Sequence, residues 1–168
     1  MKPRIDKTNY YLDIAQTVSE RCTCLRRHFG AIIVRNDSIV SSGYVGAPRG
    51  RVNCTDRAVC LRKEKGVPKG ERYELCRSVH SEANAIIAAA REQMLGATLY
   101  LVCVDPETGR LVPGTSPCSM CRRLIINAGI ETVIVRETPM AYTTYRVQDW
   151  VDNDESLTGE GGYSGSSR

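Results

Sequence analysis

Two short segments constrain the fold of this chain most, because each places potential metal ligands at a predicted helix start. One segment, SVHSEANAI, carries His80 and Glu82, and His80 is one of only two histidines in the chain. The other segment, SPCSMC, carries Cys118 and Cys121 with two residues between them. If one imidazole and two thiolates share a metal ion, the fold must bring these two helix starts together.

The Cys118–Cys121 pair alone has three interpretations. It can be a redox pair, half of a zinc knuckle, or two small buried side chains, since free cysteine is often buried. A thioredoxin-like redox role is less attractive because the pair follows a proline and a long strand–turn segment rather than an early βαβ unit. Together with His80 the pair gives three ligands, which is typical of catalytic zinc, whereas structural zinc normally has four.

The position of Glu82 adds proton-transfer chemistry to this ligand set. A helix N-terminus carries a partial positive charge that favours thiolates and a bound hydroxide. Glu82 lies two residues beyond His80, so its carboxylate can reach the same space without binding the metal and is available to move protons. His-x-Glu followed by Pro-Cys-x-x-Cys matches the signature of zinc deaminases that act on nucleobases.

The alternation of predicted strands and helices indicates an α/β domain around one sheet. Apolar periodicity and turn residues predict helices over 8–21, 81–94 and 116–129, a hairpin turning at Asn36–Asp37, and later strands over 97–104 and 131–137. The hairpin should be antiparallel, and strands separated by whole helices should be parallel. Residues 140–151 predict a last helix or a mixed segment. We expect one domain over 1–151 and a disordered Gly/Ser-rich tail over 152–168.

Composition and charge exclude several classes of protein. The 168 residues suit one domain, with a hydrophobic fraction of 42% and a charged fraction of 25%. No apolar run approaches the length of a membrane span, and the polar start lacks the apolar core of a signal peptide, so we expect a cytoplasmic protein without membrane partners. The net charge of +4 is spread along the chain, which argues against nucleic acid as partner and fits a small phosphorylated substrate.

The chain resembles the deoxycytidylate (dCMP) deaminases of the cytidine deaminase-like superfamily over residues 8–136. The resemblance is carried by CLRRHFGAIIV, GYVGAPRGRVNC, ERYELCRSVHSEANAI, GATLY and PCSMCRRLIINAGI. It implies a three-layer αβα fold with a mixed central sheet flanked by helices, a zinc cofactor, and hydrolysis of dCMP to dUMP and ammonia. It also implies a homo-oligomer, and many members respond to dCTP and dTTP as effectors.

The resemblance also implies roles for the clustered residues. His80, Cys118 and Cys121 would bind a zinc ion that activates water. Glu82 would take a proton from that water, deliver it to N3 of the pyrimidine and then help ammonia to leave. The backbone carbonyl near Ser116 would accept a hydrogen bond from the exocyclic amine.

Substrate-binding candidates follow from the same comparison. Asn84 keeps an asparagine of the family motif, and Ser81 stands where alanine is usual. Val45 is the more serious departure, because GYVG replaces a GYNG whose asparagine is expected to bind the nucleotide sugar. Arg26 is a candidate for the substrate phosphate, since guanidinium groups suit phosphate oxygens, and Tyr145 is a candidate to close the pocket. Further phosphate candidates, most of them expected to be solvated, are Arg27, Arg51, Arg77, Arg122 and Arg123.

Four further cysteines suggest a second metal site. Residues 46–78 form a stretch that is long for an unsupported loop, so something should hold it. The resemblance suggests a structural zinc there, bound by Cys24, Cys54, Cys60 and Cys76. The alternatives are that several are unligated, because their spacing matches no compact knuckle, or that Cys22 or His28 replaces Cys24. Cys103 is interpreted as a core residue.

Three other functions compete with dCMP deamination. A tRNA adenosine deaminase-like enzyme shares the zinc motif, but the cysteine-bearing loop before His80 fits it poorly. A deaminase of another cytosine nucleoside or nucleotide is compatible with Val45. A catalytically inactive, zinc-stabilised binding module is a third reading, against which the intact Glu82 argues.

Overall fold

A single mixed sheet organises the chain in a computed structural model that describes residues 3–68 and 70–154. Its strands are β1 (His28–Arg35), β2 (Ser38–Tyr44), β3 (Thr98–Val104), β4 (Thr132–Arg136) and β5 (Tyr142–Arg146). The strand order is β2-β1-β3-β4-β5, with β3 and β4 parallel and the other neighbouring pairs antiparallel. The predicted antiparallel hairpin and the predicted parallel pair are both confirmed.

Helices cover both faces of the sheet. They are α1 (Lys7–Ser19), α2 (Cys54–Arg57), α3 (Leu61–Glu64), α4 (Ser81–Ile87), α5 (Arg91–Met94), α6 (Ser119–Ala128) and α7 (Val147–Asp152), with a 3₁₀ turn at Tyr73–Leu75. On one face, Leu12 of α1 packs with Ile32. On the other face, a second apolar cluster joins Ile33 to Ala85 of α4 and Ile125 of α6. Since neighbouring residues of β1 point to opposite faces, the three-layer αβα architecture is confirmed.

Polar contacts fix α1 to the sheet at two places. At the hairpin, Asn36 and Asp37 have φ angles of 49° and 60°, the left-handed pair that a tight antiparallel turn requires. The Tyr11 hydroxyl donates to Asp37 at 2.7 Å, and Lys7 also donates to that carboxylate. At the far side, the guanidinium of Arg136, which is buried, donates to Asp13 at 2.6 Å.

Two sequence predictions differ from the structure or lie partly outside it. The single helix predicted over 81–94 is wrong, because α4 ends at Ile87 and α5 begins at Arg91. Ala90 is extended, and its N–H donates to Gln93 Oε1 at 3.1 Å, which caps the new helix and lets Met94 reach the core. Residues 140–151 form the mixed alternative, β5 then α7. Of the predicted disordered tail, residues 155–168 lie outside the described part, and Asp152 is the last residue of α7.

The long segment before α4 is held by its own contacts. Arg62 is buried and donates to the carbonyls of Pro68 and Glu71. A bridge between Gly46 and Val79 returns the segment to the end of β2. Within residues 3–68 and 70–154, no helix is both long and apolar enough to cross a bilayer.

Candidate metal and catalytic site

The sheet topology brings the two helix starts to one edge. β1 is antiparallel to both β2 and β3, so those two strands end at the same edge of the sheet. After β2 the chain forms α2, α3 and the 3₁₀ turn, and the Gly46–Val79 bridge then returns it to the end of β2, where α4 begins. It reaches α6 by a loop from the end of β3. His80 and Cys118 are the residues immediately before these helices.

A glycine allows α4 to approach the sheet closely. A Cβ atom on Gly43 of β2 would lie 2.2 Å from the Ser81 carbonyl oxygen and 2.4 Å from the Ala85 nitrogen. Real Cβ atoms do not tolerate such distances from backbone, so only glycine permits this contact. Gly43 therefore helps to set the position of the turn that carries His80.

The three predicted ligands meet. His80 Nδ1 lies 3.5 Å from Cys118 Sγ and 3.4 Å from Cys121 Sγ. Their ligand atoms all lie within 4.8 Å of one another, and Cys121 is fully buried. Two sulfur atoms and one imidazole nitrogen are a donor set that suits zinc and that calcium or magnesium does not favour.

The electrostatics of the three groups also suit a cation. Hydrogen bonds from Cys121 and His80 lower the pKa of the Cys118 thiol. The hydrogen bond between the two thiols raises the pKa of Cys121, and burial raises it further. Burial opposes charge on His80, but its hydrogen bond with Cys118 and the nearby Glu82 carboxylate raise its pKa overall. A bound cation would favour the deprotonated forms of all three groups, which are the forms that bind metal.

Glu82 lies beside this cluster as a buried acid. The residue is 4% exposed, and the Ser81 hydroxyl donates to its Oε2 at 2.9 Å. Burial raises the pKa of the Glu82 carboxyl, and the charge on Cys118 acts in the same direction. A buried carboxyl group with a raised pKa, next to but outside a ligand set, is suited to exchange protons with a reacting molecule.

Sequence reasoning missed an aromatic wall next to His80. The Tyr73 ring meets the His80 ring edge-on, with centroids 5.0 Å apart and an interplanar angle of 85°. The guanidinium carbon of Arg62 lies 4.6 Å from the Tyr73 ring centroid on another side. Burial raises the pKa of the Tyr73 hydroxyl, as do the nearby thiols, of which Cys118 has the largest effect. The only sequence signal was the tyrosine within ERYELC, five residues before the start of SVHSEANAI.

Asn84 and Val45 lie around the end of β2. Asn84 Nδ2 donates to the Tyr44 carbonyl oxygen at 2.8 Å. Val45 is 6% exposed, its N–H donates to the Phe29 carbonyl, and its own carbonyl accepts from Thr23. The loop that departs from the family pattern is therefore well anchored through its backbone.

The other pocket candidates lie near the start of α6. Ser116 is partly buried and directly precedes Pro117 and Cys118. The Tyr145 ring lies 6.0 Å from the Trp150 ring and packs against the cluster that contains Ile125.

The candidate arginines differ in their partners. Arg26 has a buried Nη1 atom for which the described residues offer no hydrogen-bond partner. Four of the others donate within the protein: Arg27 to Asp105, Arg77 to Val52, Arg122 to Pro117 and Arg123 to Ser119. Arg77 Nε is likewise buried without a partner among the described residues, but Arg77 donates to Val52 through another nitrogen, whereas no hydrogen bond of the Arg26 side chain is found there.

Three of the cysteines proposed for a second metal site, Cys24, Cys60 and Cys76, lie near the fourth, Cys54. Burial raises the pKa of Cys54, and smaller effects in the same direction come from Cys24, Cys76 and Cys60. These thiols are therefore electrostatic neighbours, but in the described part of the chain the compact three-ligand group is the one at His80. His28 Nε2 contacts the Cys24 carbonyl at 3.0 Å, and Cys103 is a buried core residue as predicted.

Known proteins resemble this chain over most of its length. Residues 5–137 match the cytidine and deoxycytidylate deaminase zinc-binding region. The deoxycytidylate deaminase of Mycobacterium phage D29 is 35% identical over 136 residues, which cover 78% of this chain and 94% of that protein. The deoxycytidylate deaminase of Schizosaccharomyces pombe is 30% identical over 126 residues, covering 75% of this chain but only 35% of that longer protein.

A solved structure shows the same likeness. The dCMP deaminase from the cyanophage S-TIM5, in complex with dCMP and dUMP, aligns with a TM-score of 0.56. The two are 29% identical, and the alignment covers 94% of each chain.

A substitution of Gly43 tests the link between sheet and site. Cobalt(II) serves as a coloured substitute for zinc at the site of His80, Cys118 and Cys121. Gly43→Ala should displace the turn before α4 and weaken cobalt binding, because His80 would lose its position relative to the two thiols. The matched control is Gly30→Ala, whose Cβ would lie 2.1 Å from the Ala15 carbonyl on the α1 face. Both variants should lose thermal stability, but only Gly43→Ala should lose the absorption of tetrahedral cobalt. Equal metal binding in the two variants would contradict this role.

Proposed function

The chain belongs to the family of cytidine and deoxycytidylate deaminases that share a zinc-binding region, and on this premise we propose that it hydrolyses dCMP to dUMP and ammonia. The observation that carries the proposal is the buried Glu82 carboxyl group beside the His80, Cys118 and Cys121 cluster. A structural site would need four closing ligands and no neighbouring acid, whereas three ligands and an acid fit a hydrolytic centre.

Zinc is the cofactor that the donor set supports. His80 Nδ1 and the sulfur atoms of Cys118 and Cys121 would hold it. Bound zinc supplies a Lewis acid that brings the pKa of water close to neutrality.

Glu82 is the proton carrier in this proposal. Water adds to C4 of the pyrimidine, and Glu82 moves one of its protons to N3. Glu82 then helps deliver a proton to the exocyclic amine as the C4–N bond breaks and ammonia leaves. The raised pKa of the Glu82 carboxyl supports this role, since a group that both accepts and donates should hold its proton near working pH. The Ser116 carbonyl would accept from the exocyclic amine and so select cytosine.

The remaining substrate contacts are proposed from their positions. Asn84 and Val45 lie at the end of β2, where they would face the sugar. Tyr73 forms a wall against His80, and Tyr145 would close the pocket from the side of α7. The buried Arg26 Nη1 atom supports phosphate binding there, because an unpaired buried guanidinium nitrogen is unfavourable until an anion satisfies it.

Ammonia release from related substrates tests the proposed reaction. Protein of measured zinc content should act on dCMP with a higher kcat/KM than on CMP, deoxycytidine or cytidine. A preference for a free nucleoside would contradict phosphate recognition. No reaction with any of the four compounds would support the inactive binding module, and deamination of a tRNA anticodon stem in its place would support the adenosine deaminase alternative.

Glu82→Gln isolates the proton carrier. The amide keeps the size of the side chain but cannot carry a proton, so deamination of dCMP should fall at least a hundredfold while zinc content stays at the wild-type level. Ammonia assays and elemental analysis on the same samples measure both quantities. If zinc were lost together with activity, Glu82 would be a ligand or a determinant of the fold.

Val45→Asn tests the departure from the family pattern. Asparagine would restore a hydrogen bond to the sugar that is made in both ground and transition states, so KM for dCMP should fall with little change in kcat. A decrease of about tenfold corresponds to about 1.4 kcal/mol, the size of one modest hydrogen bond. If KM is unchanged or raised, valine is fitted to another cytosine nucleotide, such as one altered at the sugar or at C5.

A second, structural zinc is a further part of the proposal. The gathering of Cys24, Cys60 and Cys76 around Cys54 supports it, because four thiolates would pin the segment that carries Tyr73 and Arg62. These four thiols lie near one another without forming a compact ligand group, and they would move together around the metal when it binds.

Metal stoichiometry tests this second site. Carefully prepared protein should contain about two zinc ions per chain, and Cys54→Ser should contain about one and unfold at a lower temperature. Cys103→Ser, at a buried cysteine outside either group, is the control and should keep both ions. A stoichiometry of one in the wild-type protein would eliminate the second zinc.

We also propose that the chain forms a homo-oligomer and responds to nucleotide effectors. Apolar side chains are exposed on the helical layer around the site, among them Ile87 and Leu124 at 76% and 40%. Such exposure supports a homo-oligomer. Activation by dCTP and inhibition by dTTP rest on the family resemblance.

A further inference from the structure

Arg122 makes contacts with three consecutive residues before α6. Its backbone N–H donates to the Cys118 carbonyl at 2.9 Å. Its Nε donates to the Pro117 carbonyl at 3.1 Å, and its Nη2 to the Ser116 hydroxyl at 3.4 Å. The side chain of Arg122, directly after Cys121, therefore holds Ser116 and Pro117, the two residues that precede Cys118.

The same guanidinium contacts the C-terminal helix. Its central carbon lies 5.1 Å from the Trp150 ring centroid, a cation–π distance. Trp150 lies in α7, which the buried Val147 fixes to the core. Arg122 thus lies between the turn over residues 116–118 and α7.

We propose that Arg122 is a positioning residue that sets the geometry of this turn by bracing it against Trp150. The inference rests on the proposed function in one respect, that the Ser116 carbonyl faces the substrate amine. It corrects the sequence-based interpretation of Arg122 as a phosphate ligand, since its guanidinium is directed to the turn and to α7. Lysine cannot replace it, because an ammonium group lacks the planar fork that reaches Pro117 and Ser116 together.

Loss of the Arg122 side chain should affect the position of the reacting groups rather than the binding of substrate. A turn that loses these hydrogen bonds would shift the Ser116 carbonyl and the Cys118 sulfur together. Small displacements of groups that contact the reacting atoms reduce kcat strongly, and a displacement of about 1 Å lowers it up to about a hundredfold. Binding of the sugar and phosphate, which involves other residues, should change little.

The test compares zinc-loaded full-length protein with three variants. Arg122→Gln removes the positive charge and most of the hydrogen-bond donors of the guanidinium group. Arg122→Lys keeps the charge but not the planar donors, and it replaces the glutamine variant in the test if that variant does not fold. Arg146→Gln is the control, because Arg146 is exposed and pairs only loosely with Asp149 at 3.9 Å. The measurements are kcat and KM for dCMP, the rate of zinc transfer to excess chelator, and the emission of Trp150 on addition of dUMP. Trp150 is the single tryptophan of the chain, so the emission is unambiguous.

Both Arg122 variants should lose at least tenfold in kcat with KM within about twofold of wild type, and should release zinc about tenfold faster. The emission change that dUMP causes in the wild-type protein should shrink in both variants. Arg146→Gln should match wild type throughout. Wild-type kcat and zinc release in Arg122→Gln, or an effect on KM alone, would overturn the proposal. If the wild-type protein does not act on dCMP, the proposed function fails, and the zinc-transfer rates still decide whether Arg122 positions the turn.

Discussion

The contact between His80 Nδ1 and the two sulfur atoms of Cys118 and Cys121 is the constraint on which the site depends. These groups are 38 and 41 residues apart in the chain and 3.5 and 3.4 Å apart in space. No local interaction could join them. The sheet does so, because β2 and β3 end at the same edge, the Gly46–Val79 bridge returns the chain to the end of β2 before α4, and a loop leads from the end of β3 to α6.

Burial of Glu82 gives this cluster its chemical character. A carboxyl group in an apolar environment holds its proton more tightly than in water, and the neighbouring thiolate strengthens that effect. A cation bound beside Glu82 would draw the two cysteine thiols to their deprotonated forms, since thiolates are the forms that bind zinc. The long segment between β2 and α4 adds to the site, since it places Tyr73 against His80 and Arg62 against Tyr73.

Sequence patterns predicted those features of the fold that depend on interactions between residues close together in the chain. The Asn36–Asp37 turn, the apolar β3 strand and the glycine end of α6 all follow from local preferences, and the three candidate ligands follow from the spacing of their motifs. The break between α4 and α5 was missed because three successive alanines favour a helix locally, while the need to bury Met94 is a tertiary effect. The roles of Arg122 and Tyr73 were missed for the same reason, since their partners are Trp150 and His80, on other elements.

Anomalous diffraction at the zinc edge, from crystals grown with zinc and dUMP, tests the central claim most directly. The account predicts a peak at bonding distance from His80 Nδ1, Cys118 Sγ and Cys121 Sγ, at about 2.0–2.3 Å. It also predicts that Glu82 stays outside the ligand set, with its carboxyl group facing the pyrimidine. A peak bonded to Glu82, a fourth protein ligand closing the site, or the absence of zinc between these three residues would contradict the account.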